Sequence, residues 1–147
     1  MTTATLTAAA VIREATVDDI PRLVQMGQRF RNELVYRNQI AENPAQMAAL
    51  SERLIASEAG LLLVVERAVT VTGMIGILVF PHHISGELVA GELFFWMEPE
   101  HRGHGVRLLK RAEAWVRRCG ATALHMMAPS PEVERLYQRL GYSKVPE

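Results

Sequence analysis

The stretch that decides the reading is Pro99-Glu100-His101-Arg102-Gly103-His104-Gly105-Val106-Arg107-Leu108-Leu109. It follows Glu87–Met97, a run dense in aromatic residues that reads as a strand, and Pro99 stops that strand. Gly105–Cys119 then carries Leu108, Leu109, Ala112, Trp115, Val116 and Cys119 at helical spacing, with Gly120 placed to end the helix. A strand therefore runs into a glycine-bearing turn that opens a helix. Glycines let backbone approach an anion closely, and N–H groups at a helix start point toward it. Arg102 and Arg107 flank the turn and add charge-assisted donors. Such a turn suits a ligand carrying a pyrophosphate. Two better-known phosphate turns do not match. A P-loop needs Gly-Lys-Ser/Thr where this chain has Gly105-Val106-Arg107, and the dinucleotide fingerprint needs a third small residue and a later acidic partner.

Outward from the turn, the chain alternates element types. Val11–Glu14 reads as a first strand, and Thr16-Val17-Asp18-Asp19 as a capping box with Asp19 in the first turn. Ile20, Leu23, Val24, Gly27, Phe30 and Leu34 follow as one apolar helical stripe. Asn43-Pro44 opens a second helix whose inner face is Met47, Leu50, Leu54 and Ile55. Leu61–Glu66 and Val71–Phe80 read as paired strands joined near Arg67–Thr70, without an Asn-Gly or Gly-Gly turn signal. Pro81–Gly86 is a loop, Thr122–Met127 a further strand, and Ser130-Pro131 opens a last helix through Leu140, closed by Gly141. The expected class is mixed α/β, with about four helices on a central sheet. Residues 1–10 read as a mobile tail and 11–147 as one domain.

Composition narrows the function classes. The 147 residues balance 16 basic against 16 acidic side chains, so no overall field draws nucleic acid or an anionic membrane. No apolar run approaches the ~20 residues of a spanning helix. A single cysteine, Cys119, excludes an internal disulfide and a cysteine-cluster metal site, and the histidines lack metal-ligand spacing; a cytoplasmic setting without metal is expected.

The segment Pro99–Leu109 resembles the acetyl-CoA-binding motif of the GCN5-related N-acetyltransferase (GNAT) superfamily, Gln/Arg-x-x-Gly-x-Gly/Ala. Arg102-Gly103-His104-Gly105-Val106-Arg107 matches except at its last position, where Arg107 replaces a small residue. A second motif is similar: Tyr137-Gln138-Arg139-Leu140-Gly141-Tyr142 fits the family's Tyr-x-x-x-Gly-Phe/Tyr ending, with Ser130 where an Asn is usual. The resemblance runs from Val11 to the end and implies a GNAT fold, a sheet with splayed central strands.

It also implies an N-acetyltransferase taking acetyl-CoA as cosubstrate and a small-molecule or peptide amine as acceptor, by direct transfer. The backbone at Trp96 and Met97 would hold the pantetheine arm, and Arg102, Gly103, His104, Gly105, Val106 and Arg107 the pyrophosphate, with Ser130 nearby. Tyr137 matches the family's general acid. Glu92 is the first candidate base and Glu98 the second, each weighed against a solvated or ion-paired carboxylate, with His82 and His83 behind them. Phe30, Glu33, Tyr36 and His83 are candidate acceptor contacts. Arg107 and Ser130, both off the family pattern, leave a non-catalytic CoA-binding sensor or subunit as the alternative. Only Ser143–Glu147 follow the closing motif, so an open sheet edge and a homodimer are expected.

Overall fold

The computed structural model describes residues 9–145. Five strands lie in sequence order in one sheet: β1 (Val11–Glu14), β2 (Gly60–Arg67), β3 (Thr70–Pro81), β4 (Leu88–Met97) and β5 (Leu124–His125). The first four pair antiparallel, and β5 joins β4 in parallel. Helices α1 (Ile20–Glu33) and α2 (Pro44–Ala56) connect β1 to β2, α3 (Gly105–Arg118) connects β4 to β5, and α4 (Pro131–Arg139) follows β5.

The continuous aliphatic run of β2 is explained by burial on both sides. Leu61, Leu63 and Val65 enter one core cluster with Ile75, Ile77, Leu108, Leu109, Val116 and Tyr137, the α3 and α4 side. Leu62 and Val64 enter another with Leu23, Met26, Leu54, Met74, Phe94 and Trp96, the α1 and α2 side. The sheet is thus sandwiched between two helical layers. Of residues 1–10, the first eight lie outside the described region; Ala10 is no tail and packs against the α3/α4-side cluster.

Three local readings differ in detail. The first helix starts in two steps, a 3₁₀ turn over Val17–Asp19 and then α1. Asp19 accepts from the Thr16 backbone N–H at 2.8 Å, as a capping box requires, and is also clamped by Arg13 at 2.8 and 2.9 Å. Arg13 in turn reaches Glu66 at 3.0 Å on β2, so the cap is tied to the sheet and the Asp19 carboxyl is held below the usual carboxylate range. The β2–β3 connection is a two-residue turn: Arg67 faces Thr70, and Ala68 and Val69 take φ of 50° and 58°. That geometry favours Asn-Gly, and neither residue here is suited to it. Finally, Thr122–Met127 is not all strand. Only Leu124 and His125 pair, because β4 and the following chain diverge beyond Gly91.

Candidate functional site

That divergence makes the site. β5 partners β4 only at Ala90 and Gly91, so from Glu92 to Met97 one edge of β4 has no neighbouring strand among the described residues. A cleft of about 340 Å³ opens beside it. Phe95, Trp96 and Met97 form one wall, Val133, Leu136 and Tyr137 of α4 with Leu140 just after it the opposite one, and Gly105, Val106 and Leu109 of α3 the end; Phe30 and Glu33 of α1, with Leu34 just beyond it, close it. The lining is largely apolar with a few convergent polar groups, the usual character of a small-molecule site.

The glycine turn forms the head of this cleft. Pro99–His104 is a 3₁₀ turn leading straight into α3, and no side chain caps the helix at His104. A Cβ added at Gly103 would meet nothing within 4 Å, and one at Gly105 only ordinary van der Waals contacts, Met97 Cγ at 3.4 Å and the Phe95 ring at 3.6 Å. Neither glycine therefore is needed to relieve crowding within the protein; Gly103 is exposed and keeps a backbone surface open to a ligand, while Gly105 is buried at the start of α3. Arg102 lines the cleft; Arg107 is exposed in the first turn of α3 and does not. Ser130 also lines it, but its hydroxyl accepts from the Val133 N–H at 3.2 Å as the cap of α4.

Tyr137 is 6% exposed, and its hydroxyl has no hydrogen-bond partner among the described residues. Burial, with the nearby Glu92 carboxylate adding to it, pushes its pKa up, so the hydroxyl keeps its proton. Glu92 reaches this side of the sheet through a β-bulge. Ile77 faces Glu92 and Gly76 faces Phe94, leaving Leu93 as the extra residue of β4. Glu92 consequently shares the α3/α4 face with Ala90 and Phe95, and burial pushes its carboxyl up to about 7. No hydrogen bond or ion pair engages it among the described residues.

Glu98, the second candidate base, is engaged elsewhere. It is 3% exposed and lies off the cleft, accepting from the Trp96 indole N–H at 3.3 Å and paired with Arg29 and, at 3.6 Å, Arg22. Its carboxylate is spent on anchoring the end of β4 to α1. His83 stacks on His82 at 4.6 Å in the loop after β3 and is not part of the cleft lining. Tyr36 lies beyond the lining, donating to Met127 Sδ at 3.4 Å. Phe30 tilts against Trp96 at 5.8 Å. Residue spacing did not single out Leu34, Pro129, Val133, Leu136 or Leu140 as cleft residues. Among the described residues no His/Cys/Asp/Glu group is arranged to hold a metal, and no helix is long and apolar enough to cross a membrane.

Solved structures share this architecture. A transcriptional regulator from Bacillus halodurans C-125 superposes with TM-score 0.78 at 20% identity, covering 95% of this chain and 96% of its own. The aminoglycoside N-acetyltransferase AAC(6')-Iy, solved with CoA, gives 0.79 at 12% identity over 99% and 95%. A ribosomal-protein-alanine N-acetyltransferase from Brucella melitensis biovar Abortus 2308 gives 0.70 at 15% over 95% of each. At these identities the likeness speaks for the fold. No curated protein sequence matches the chain. The model of the acetyltransferase (GNAT) family matches residues 28–142, which takes in the cleft, the glycine turn and the closing tyrosine motif. The chain belongs to the GNAT acetyltransferase family.

Proposed function

We propose that the protein is an acetyl-CoA-dependent N-acetyltransferase that acts on a primary amine by direct transfer. The observation that carries this reading is the cleft itself: an unpaired β-strand edge, with a protonated buried tyrosine facing it and an open glycine turn at its head. The fit to the cofactor follows from those features. The β4 edge around Trp96 and Met97, which no neighbouring strand covers among the described residues, suits an amide-bearing pantetheine arm. The backbone of Gly103, His104, Gly105 and Val106, with Arg102 and Arg107, suits a diphosphate at a helix start. Bound acetyl-CoA would supply an activated thioester.

The chain's own residues would then handle two protons. A lysine-like amine is neutral in only roughly one molecule in 2,500 at pH 7, so a base is useful. Glu92, whose carboxyl burial pushes up to about 7, lies on this face of the sheet behind the cleft lining and is poised to accept that proton through water. Tyr137, held protonated, donates to the departing sulfur. Cys119 lies on the inner stripe of α3, outside the cleft lining, so no acyl-enzyme is invoked. Phe30, Glu33 and Tyr36 border the acceptor side. We place the protein in the cytoplasm and further propose a homodimer: β5 has no strand on its outer side among the described residues, and such edges tend to be covered. A monomer in sedimentation at high concentration would refute it.

Thermal unfolding with acetyl-CoA, CoA and ATP tests the reading. At about 100 times Kd a ligand adds roughly 2.7 kcal/mol, which raises Tm by about 5–11 °C. A rise with both CoA forms and not with ATP is expected; no rise at millimolar ligand would overturn the proposal. An amine panel then separates it from a non-catalytic CoA-binding protein, the reading that Arg107 and the capped Ser130 hydroxyl favour, which binds and transfers nothing.

A further inference from the structure

We propose that Arg102 and Glu33 form an anion-operated latch across the cleft, opened when the diphosphate of the cofactor takes over the Arg102 guanidinium. This rests on the acetyl-CoA reading above. Arg102 belongs to the turn after β4 and Glu33 is the last residue of α1, and both line the cleft from different sides. They meet at 3.0 Å, Nη2 donating to Oε2. Arg102 also lies 5.3 Å above the Trp96 ring, and its Nε–H donates to the Met97 carbonyl at 3.4 Å. The guanidinium therefore lies over Trp96 and Met97, where the free strand edge would receive a ligand. Tyr36, just beyond α1, makes a second bridge to Met127 on the loop before α4.

Charge distribution gives the latch its trigger. Among the lining residues Arg102 is the one cation and Glu33 the one carboxylate, so the closed cleft presents a neutralised pair. Both side chains are about half exposed, at 54% and 53%, which makes this a weak pair in water. A diphosphate at the turn offers several anionic oxygens to a planar fork that binds them bidentately, and it outcompetes one solvated carboxylate. Once Arg102 turns to the diphosphate, Glu33 has no other partner among the described residues. Loading the cofactor thus uncovers the cleft's one lining carboxylate, and a positively charged acceptor finds a counter-ion only in the loaded protein.

Isothermal titration of CoA into the wild-type protein and two variants tests this. Glu33→Gln removes the charge and the pair. Glu33→Asp keeps the charge but draws the carboxylate back by one methylene, out of reach of Arg102. The latch requires both variants to bind CoA about two- to five-fold more tightly than wild type, since each frees Arg102 from an exposed pair. Tightening in Glu33→Gln alone would mean that Glu33 merely repels the cofactor's charge through space, and would overturn the latch. So would unchanged or weaker binding in both. Absence of CoA binding to the wild-type protein would overturn the acetyl-CoA reading together with the latch.

Discussion

Glu92 offers the sharpest test, because its burial makes a prediction about stability that is independent of any acceptor. Its backbone faces Ile77, and its side chain lies on the face that packs Ala90, Val79 and Tyr137. Burial moves the carboxyl from 4.5 to about 7, a difference of about 2.5. At about 1.36 kcal/mol for each pH unit, this amounts to about 3 kcal/mol of differential stability. The sign follows from proton binding. Between these two values the folded chain holds the proton more tightly than the unfolded chain, so stability falls as pH rises. The contribution is most favourable below 4.5 and is lost as pH rises through 7. Glu92→Gln removes the titration and leaves every other carboxylate and histidine in place. Urea unfolding of both proteins at pH 5, 6, 7 and 8.5, read at constant m, isolates the difference. Relative to wild type, the variant should gain up to about 3 kcal/mol between pH 4.5 and 8. A difference that stays flat across this range would show that Glu92 titrates as an ordinary exposed carboxylate, and the argument for it as a base poised near neutrality would fail. If it holds, the acidic limb of the transfer rate should fall near pH 7 and disappear in Glu92→Gln.

Three further outcomes are expected. Tyr137→Phe, which deletes only the hydroxyl in the cleft wall, should lower kcat by about 10²-fold or more while changing the Kd for CoA less than two-fold; stopped-flow and titration calorimetry check the two halves. Glu98→Ala strands the Trp96 indole N–H and uncouples Arg22 and Arg29, whose heads are partly exposed; a cost of about 2–3 kcal/mol, or a Tm lower by roughly 4–12 °C, is expected in calorimetry. Replacing Ala68-Val69 by Asn-Gly should raise stability by about 1–2 kcal/mol, because a β-branched residue at φ 58° pays for a left-handed conformation that glycine adopts freely; an unchanged urea midpoint would refute the strain.

What the sequence disclosed about the site divides by distance along the chain. The glycine turn and the start of α3 are local: their residue types and spacing carry their own physics, whereas Tyr137 was singled out by its resemblance to the family's closing motif. Glu98 was legible in neither way. Its fate depends on Arg29, 69 residues away, and on Arg22, and no local pattern separates a carboxylate held by two arginines from one free to take a proton. The same holds for Tyr36 and Met127, 91 residues apart, and for β5, whose length is set by where β4 turns away from it.

Glu92 is the instructive case, since its strand was identified and its orientation still could not be read. With strict alternation Phe95 and Met97 face α3 and α4, while Glu92 falls on the other face beside Phe94 and Trp96, away from Tyr137. The bulge inverts this. One extra residue, Leu93, puts Glu92 and Phe95 on the same side, opposite Ile77 and Ile75. Nothing in the string Glu92-Leu93-Phe94-Phe95 demands a bulge. It is imposed by packing from both directions: Phe94 fills the space over Gly76, where a Cβ would come within 2.5 Å of its ring, while Phe95 packs with the α3/α4 cluster near Gly105. Ala90 and Phe95, an odd number of positions apart, both belong to the α3/α4 core, which strict alternation forbids, so a residue between them bulges out and Glu92 stays on the Ala90 side. A side chain at Gly76 should therefore act on Glu92 from across the strand pair. Gly76→Ala, by displacing Phe94, is expected to shift the Glu92 titration toward the ordinary carboxylate range in carboxyl-carbon NMR, and a titration still centred near 7 would show that the bulge is held by something other than this pair.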